Sequence, residues 1–208
     1  MLSHVLERCR AIPTAVDLCC AVPFGKSDDE VAAEAGRCGA KVVRGSEADV
    51  LDRYYKSAIE CQADVIMRVT SDCPLLDPVI ADRVLTCVVK QEADYGCNNL
   101  PRSWPHGLDC EAFTFGWLER AAREAKFPEQ REHVTPFLRT HPDVRRVNVF
   151  GPGGYIARYR WTLDTAADLE FLRVVFPQLP EGSDAFDYRT VLNVVEREPR
   201  LRSHTNPE

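Results

Sequence analysis

Two aspartates standing at the ends of two apolar runs are the residues of this chain best suited to chemistry. Asp64-Val-Ile-Met-Arg-Val69 stops abruptly in Thr70-Ser71-Asp72-Cys73-Pro74, and Tyr159-Arg-Trp-Thr-Leu163 stops in Asp164 ahead of Thr165-Ala-Ala-Asp168. Open α/β folds gather ligands at the carboxyl ends of their strands. Asp72 and Asp164 at two such ends form a pair that would hold a divalent cation for phosphate chemistry. Mg²⁺ prefers oxygen ligands and usually takes one or two protein carboxylates plus substrate phosphates. The competing role for either aspartate alone is to cap the turn or helix that follows. Asp77, just before Pro78 at a helix start, is better explained as such a cap.

Further candidates lie along the chain. In Arg44-Gly-Ser-Glu-Ala-Asp-Val-Leu-Asp-Arg53, Gly45 and Ser46 could let backbone amides approach a nucleotide at a helix N-terminus. Arg53, two turns into that helix, could reach a phosphate or base, or could pair with Asp49 at i,i+4 spacing. The segment 98–111 combines Asn98, Asn99, Trp104, His106, Gly107, Asp109 and Glu111, a mixture that suits hydroxyl-rich, sugar-like ligands. It is too long for a mere connector. Arg131 and His133 sit in a helical stretch that also holds Pro136, which should bend it; His133 serves equally well as a ligand contact or a core histidine.

The elements that must position these groups alternate. Helix is expected over 2–11, a buried strand over 16–22, helix over 28–38, and strand over 41–43. Ser46 reads as the N-cap of a helix ending near residue 61. The central strand covers 63–69, followed by helix 78–90 and strand 93–97. Beyond the 98–109 loop come strand 111–115, helices 116–126 and 129–140, strand 144–150, strand 158–163 and helices 166–175 and 187–197. Such alternation marks a parallel α/β sheet. One large domain is expected over 1–208, with a disordered tail at 203–208. The order is unusual in beginning with a helix that would normally follow a central strand.

Composition narrows the class. With 45% hydrophobic and 28% charged residues, the chain is an ordinary globular one. A net charge of −6 argues against general nucleic-acid affinity. The nine cysteines form an odd set without a CxxC pair and read as reduced. A Cys97, His106 and Cys110 zinc site matches no common spacing. The N-terminus lacks the apolar core of a signal peptide, and no run approaches a membrane span, so the protein reads as cytoplasmic.

Five runs taken together resemble one family. They are Arg44-Gly-Ser with Asp49-Val-Leu-Asp-Arg53, Arg68-Val-Thr-Ser-Asp-Cys-Pro74, Pro105-His-Gly-Leu-Asp109, Arg131-Glu-His-Val-Thr-Pro136 and Arg160-Trp-Thr-Leu-Asp164. Over about residues 1–176 the chain is similar to cytidylyltransferases of the spore-coat polysaccharide type, relatives of the acylneuraminate and 3-deoxy-manno-octulosonate cytidylyltransferases. The resemblance implies a Rossmann-like, GT-A-like three-layer nucleotidyltransferase fold with a mostly parallel sheet. It also implies the reaction of CTP with an acidic sugar to give CMP-sugar and pyrophosphate, with Mg²⁺ on Asp72 and Asp164. Arg53, Thr70, Ser71 and Asp72 would then face the nucleotide, with Ser71 standing where the family usually has glycine. Asn98, Asn99, His106, Gly107, Asp109, Glu111, Arg131 and His133 would face the sugar. A homodimer is expected, with the 98–150 region as its interface. The family's opening strand and its Arg- and Lys-bearing phosphate loop have no counterpart here, so the fold is expected without its usual first strand and with impaired activity. A start codon assigned downstream would account for this. The rival readings are a non-catalytic paralogue that binds sugar or acts in assembly, and a nucleotidyltransferase using another nucleoside triphosphate.

Overall fold

The protein is described by a computed structural model covering residues 1–182 and 185–206. Its strands fall into two sheets. β1 (Cys19–Pro23) and β2 (Lys41–Gly45) pair in parallel. β3 (Val65–Arg68), β4 (Tyr95–Cys97), β5 (Glu111–Thr114) and β6 (Arg146–Asn148) form a four-stranded sheet in the order β3-β5-β4-β6. β5 runs antiparallel to β3 and β4, while β4 and β6 are parallel, so only β5 is reversed. The helices are α1 (Leu2–Arg10), α2 (Asp29–Arg37), α3 (Val50–Glu60), α4 (Pro78–Val89), α5 (Phe115–Glu124), α6 (Pro128–His133), α7 (Pro136–Thr140), α8 (Ala166–Val175), α9 (Tyr188–Arg197) and α10 (Pro199–Arg202).

The period-2 alternation of the strands divides the molecule into layers. Ile66, Tyr95 and Phe113 point one way and pack with Leu51 and Ala58 of α3, Leu118 and Ala121 of α5, and Leu138 of α7. Val65, Met67 and Ala112 point the other way, onto Ala81, Val84, Leu85 and Val88 of α4. These are the three layers expected. A third core joins Trp104, Leu108 and Trp161 to Phe171 and Leu172 of α8 and Val191 and Val195 of α9. It fixes the 98–111 loop against the 159–164 segment.

β3, expected as a buried central strand, is an edge of its sheet, and all four of its residues are only half-buried. Among the described residues no ladder joins it to β1. The strand expected from Val16 starts only at Cys19. Val16 is fully exposed, and the Asp17 carboxylate takes the Leu18 amide at 2.8 Å. α3 is capped by Asp49, which accepts from Asp52 N at 2.9 Å, and not by Ser46, whose hydroxyl accepts from Asp49 N at 3.1 Å. The helix expected over 129–140 is two. Between α6 and α7, buried Val134 holds φ 68° and ψ −56°, a γ-turn closed by Thr135 N donating to His133 O at 2.7 Å. Pro136, lacking an amide hydrogen, then opens α7. The stretch 158–163 is no ladder strand; it makes isolated bridges from Arg160 to His106 and from Tyr159 to Thr205. Through that second bridge 203–206, expected as a disordered tail, lie against the 158–160 segment; 207 and 208 lie outside the described residues.

Candidate active site

After β3 the chain turns sharply, with Cys73 N donating to Thr70 O at 3.2 Å. The turn presents Asp72 to the 162–164 segment. The Asp72 carbonyl accepts from Leu163 N at 2.8 Å and from Thr162 Oγ1 at 3.1 Å. Thr162, fully buried, is the hinge of the arrangement: its hydroxyl lies 3.1 Å from Asp72 Oδ2 and 3.4 Å from Asp164 Oδ2. The two aspartates singled out in the sequence therefore converge on one hydroxyl group.

Asp164 is aimed from behind. Arg160 donates to its Oδ2 at 2.5 Å and is itself clamped by Asp168, through Nε to Oδ1 at 2.8 Å and through a terminal nitrogen to Oδ2 at 3.0 Å. Asp168 is fully buried and also accepts from the Asp164 and Thr165 amides at 2.9 and 2.8 Å. With Thr165 it forms the capping box that starts α8. Burial alone would push the Asp168 carboxyl up; the Arg160 guanidinium and the two amides hold it well below the usual carboxylate range. Beside Asp72, burial first and then the aspartate's own charge push the Cys73 thiol well up, so it stays protonated and unreactive.

The donor set fits a hard divalent cation. Among the described residues, Asp72 Oδ1 meets only the Cys73 thiol at 3.6 Å and Asp164 Oδ1 accepts no hydrogen bond. Two oxygen donors with substrate phosphates completing the shell are what Mg²⁺ or Mn²⁺ accepts.

The other expected residues separate into two groups. Thr70 lies in the turn and Ser71 is exposed beside it. Arg53 donates to Ser46 O at 2.9 Å, keeps a buried Nε without a partner, and makes no ion pair among the described residues. Its stem lies on Gly45, where a Cβ would stand 2.5 Å from Arg53 Cγ; that close approach is why the position is glycine. Half-buried His106 is gripped through its backbone, N to Tyr159 O at 2.9 Å and O from Trp161 N at 2.6 Å. Gly107, at φ 108°, has no room for a Cβ, which would meet the Trp161 backbone at 2.5 Å. Asp109 accepts from Gly107 N at 3.0 Å and from Arg102 at 2.9 Å. Asn99 keeps a buried Oδ1 without a partner.

Asn98, Glu111 and Arg131, expected against the sugar, have their side chains engaged with the scaffold. Asn98 is buried, with its amide spent on Leu108 O at 2.6 Å and Cys110 N at 3.0 Å. Glu111 is buried on β5, paired with Arg68 at 2.9 Å and Arg139 at 2.5 Å and bonded to the Tyr95 hydroxyl. Arg131 is spent on Asp49 at 2.5 Å and Ala122 O at 2.7 Å, latching α6 to α3 and displacing the expected Asp49–Arg53 pair. His133 is exposed at the end of α6. Sequence reasoning passed over Thr162, Arg160 and Asp168. The Thr165-x-x-Asp168 box was the available signal for the last of these.

A family model described as cytidylyltransferase matches residues 1–174. The spore coat polysaccharide biosynthesis protein SpsF of Bacillus subtilis is 32% identical over 173 residues, spanning 81% of this chain and 71% of that protein. The structure of a cytidylyltransferase from Leptospira borgpetersenii serovar Hardjo-bovis superposes with a TM-score of 0.90 at 25% identity, over 100% of this chain and 87% of that one. A CMP:2-keto-3-deoxy-manno-octonic acid synthetase complexed with CTP shares the fold, with a TM-score of 0.60 at 16% identity over 85% and 87%. The chain belongs to the cytidylyltransferase family, of the spore-coat type. It is a nucleotidyltransferase with the Rossmann-like fold of that class.

Proposed function

We propose that the protein transfers CMP from CTP to an acidic or surface-polysaccharide sugar, releasing pyrophosphate, in the synthesis of a cell-surface glycan. The convergence of Asp72 and Asp164 on Thr162 carries this reading. A Mg²⁺ ion held by the two carboxylates would offset the charge that develops on the phosphates as the α-phosphorus is attacked. Thr162 offers its single hydroxyl proton to the Asp72 side of the site, with Asp164 Oδ2 as an alternative acceptor, and Arg160 keeps Asp164 turned toward its partner. Thr70 and Ser71 line the nucleotide, and Arg53 supplies the guanidinium without a carboxylate partner. Asn99, His106, Gly107 and Asp109 orient the sugar, whose hydroxyl oxygen bonds to the α-phosphorus as the bond to the bridging oxygen of pyrophosphate breaks. His133 remains a peripheral sugar contact.

Turnover is slow in this reading. Arg160 is committed to Asp168 and Asp164, Arg131 to Asp49, Arg102 to Asp109, and Arg68 and Arg139 share Glu111. Among the described residues, and Arg53 apart, these pairings leave little uncommitted arginine charge beside the two aspartates to face a leaving pyrophosphate. Calorimetric titration with CTP, ATP, GTP and UTP in Mn²⁺ tests the nucleotide assignment. CTP is expected to bind at least tenfold more tightly than the others in the wild type and to lose that advantage in Arg53→Ala. Equal affinity for all four defeats it.

Exposed Leu100, Phe127 and Phe150 support the 98–150 region as a homodimer interface. Light scattering is expected to give twice the monomer mass and to fall to the monomer value in Phe127→Glu.

A further inference from the structure

Residues 203–206 lie beyond the stretch matched by the family model, yet they touch both walls of the site. His204 Nε2 is 3.0 Å from Asp168 Oδ1, the same oxygen that receives Arg160 Nε. Its ring stacks on Phe171 of α8 at 4.5 Å and 13°. Its carbonyl accepts from Arg160 N at 3.2 Å, and Asn206 N donates to Arg158 O at 2.8 Å. The Asn206 side-chain oxygen lies 3.0 Å from His106 Nδ1. A short strand-like segment thus runs beside 158–160, with one side chain on the Arg160–Asp168 clamp and the next but one on the 98–111 loop.

We propose that residues 203–206 are a positioning element of the active site. Through His204 they hold Asp168, and so keep Arg160 aimed at Asp164. Through Asn206 they fix the ring of His106 on the sugar side. Asp164 is four residues from Asp168 on the capped start of α8, so a loosened Asp168 frees the Asp164 carboxylate as well. Removal of His204 leaves Oδ1 with Arg160 alone. None of these tail residues touches substrate; they act through groups that do. The inference rests on the reading of Asp72 and Asp164 as the cation site.

The test compares the full chain with His204→Ala, Asn206→Ala and a chain ending at Arg202. Three quantities are read: the Arg160 Nε–H resonance, Mn²⁺ affinity by water-proton relaxation, and the sugar KM against kcat. In the full chain the Arg160 Nε–H is expected to exchange slowly and shift downfield. In His204→Ala and the shortened chain it is expected to broaden, with Mn²⁺ affinity at least fivefold weaker while far-UV dichroism is retained. Asn206→Ala is expected to raise the sugar KM at least fivefold while Mn²⁺ affinity stays within twofold. An unchanged Arg160 resonance with Mn²⁺ affinity within twofold in the shortened chain overturns the proposal, and so does a loss of affinity that merely tracks loss of dichroism. Absence of Mn²⁺ binding in the full chain defeats the cation reading instead, and is recognised separately because the Arg160 signal needs no metal.

Discussion

Asp168 accepts from Arg160 twice, from two backbone amides and from His204, and it is fully buried. Its carboxyl titrates below its unfolded value of about 3.9, so the stabilisation it gives is complete above about pH 4 and is lost as the pH falls through the folded value. Asp168→Asn is expected to lower stability at pH 7 by about 3 kcal/mol or more, because Arg160 is left with an uncompensated charge. The gap in urea midpoint between wild type and variant should narrow steadily below pH 4; a constant gap would refute the role. Gly107→Ala meets the Trp161 backbone at a φ that side chains avoid and should cost on the order of 3 kcal/mol, read by the same midpoints. That Asp72 and Asp164 come near one another was legible, because each carboxylate ends an apolar run at a strand-like stop, and both lie within 3.4 Å of the Thr162 hydroxyl. The burial of Asn98 and Glu111 was not legible, since Asn98 opens a glycine- and proline-rich loop that looks exposed and Glu111 begins β5, where its charge is matched only across the sheet. Only the fold shows that their partners are Leu108, Cys110, Arg68 and Arg139.

At the scale of elements, the helices were read more accurately than the strands. α1, α4, α8 and α9 fall within two residues of expectation, because each carries an apolar stripe and the last three also carry a side-chain cap at their start. Asp77 does what Asp-Pro predicts, accepting from Val79 N and Ile80 N at 2.9 and 3.0 Å. Its other oxygen takes Tyr188 N at 2.9 Å, which no local pattern foretells. Asp77→Ala thus unties α4 from α9 as well as uncapping it. The expected loss is about 2 kcal/mol, a fall in Tm of roughly 4–8 °C for a chain of this size, measured by calorimetry. A fall under a degree would show the contact idle. The break between α6 and α7 was only half legible: Pro136 announces it, but the γ-turn at Val134 depends on burying that side chain from both sides. Adjacent strands β3 and β5 share a register that only pairing across the chain creates, which is why an edge strand was read as central.

For the whole molecule, two cores pack the opposite faces of the four-stranded sheet and a third ties the 98–111 loop to the 159–164 segment, beside the turn that carries Asp72. The fold class and the family followed from five spaced motifs. The docking of the tail did not, because Ser203-His-Thr-Asn206 has no apolar periodicity and its partners lie far back along the chain. No helix among the described residues is long and apolar enough to cross a membrane. The proposed function requires Asp72 and Asp164 to act together on a nucleotide. The most direct test is mass-spectrometric detection of CMP-sugar from CTP, Mg²⁺ and a panel of sugar acids, with wild type, Asp72→Asn and Asp164→Asn at equal concentration. Slow, Mg²⁺-dependent product is expected from the wild type, reduced at least about 100-fold in each variant with Tm unchanged within a few degrees. Product that survives either substitution, or no product from the wild type with any sugar acid, would contradict it.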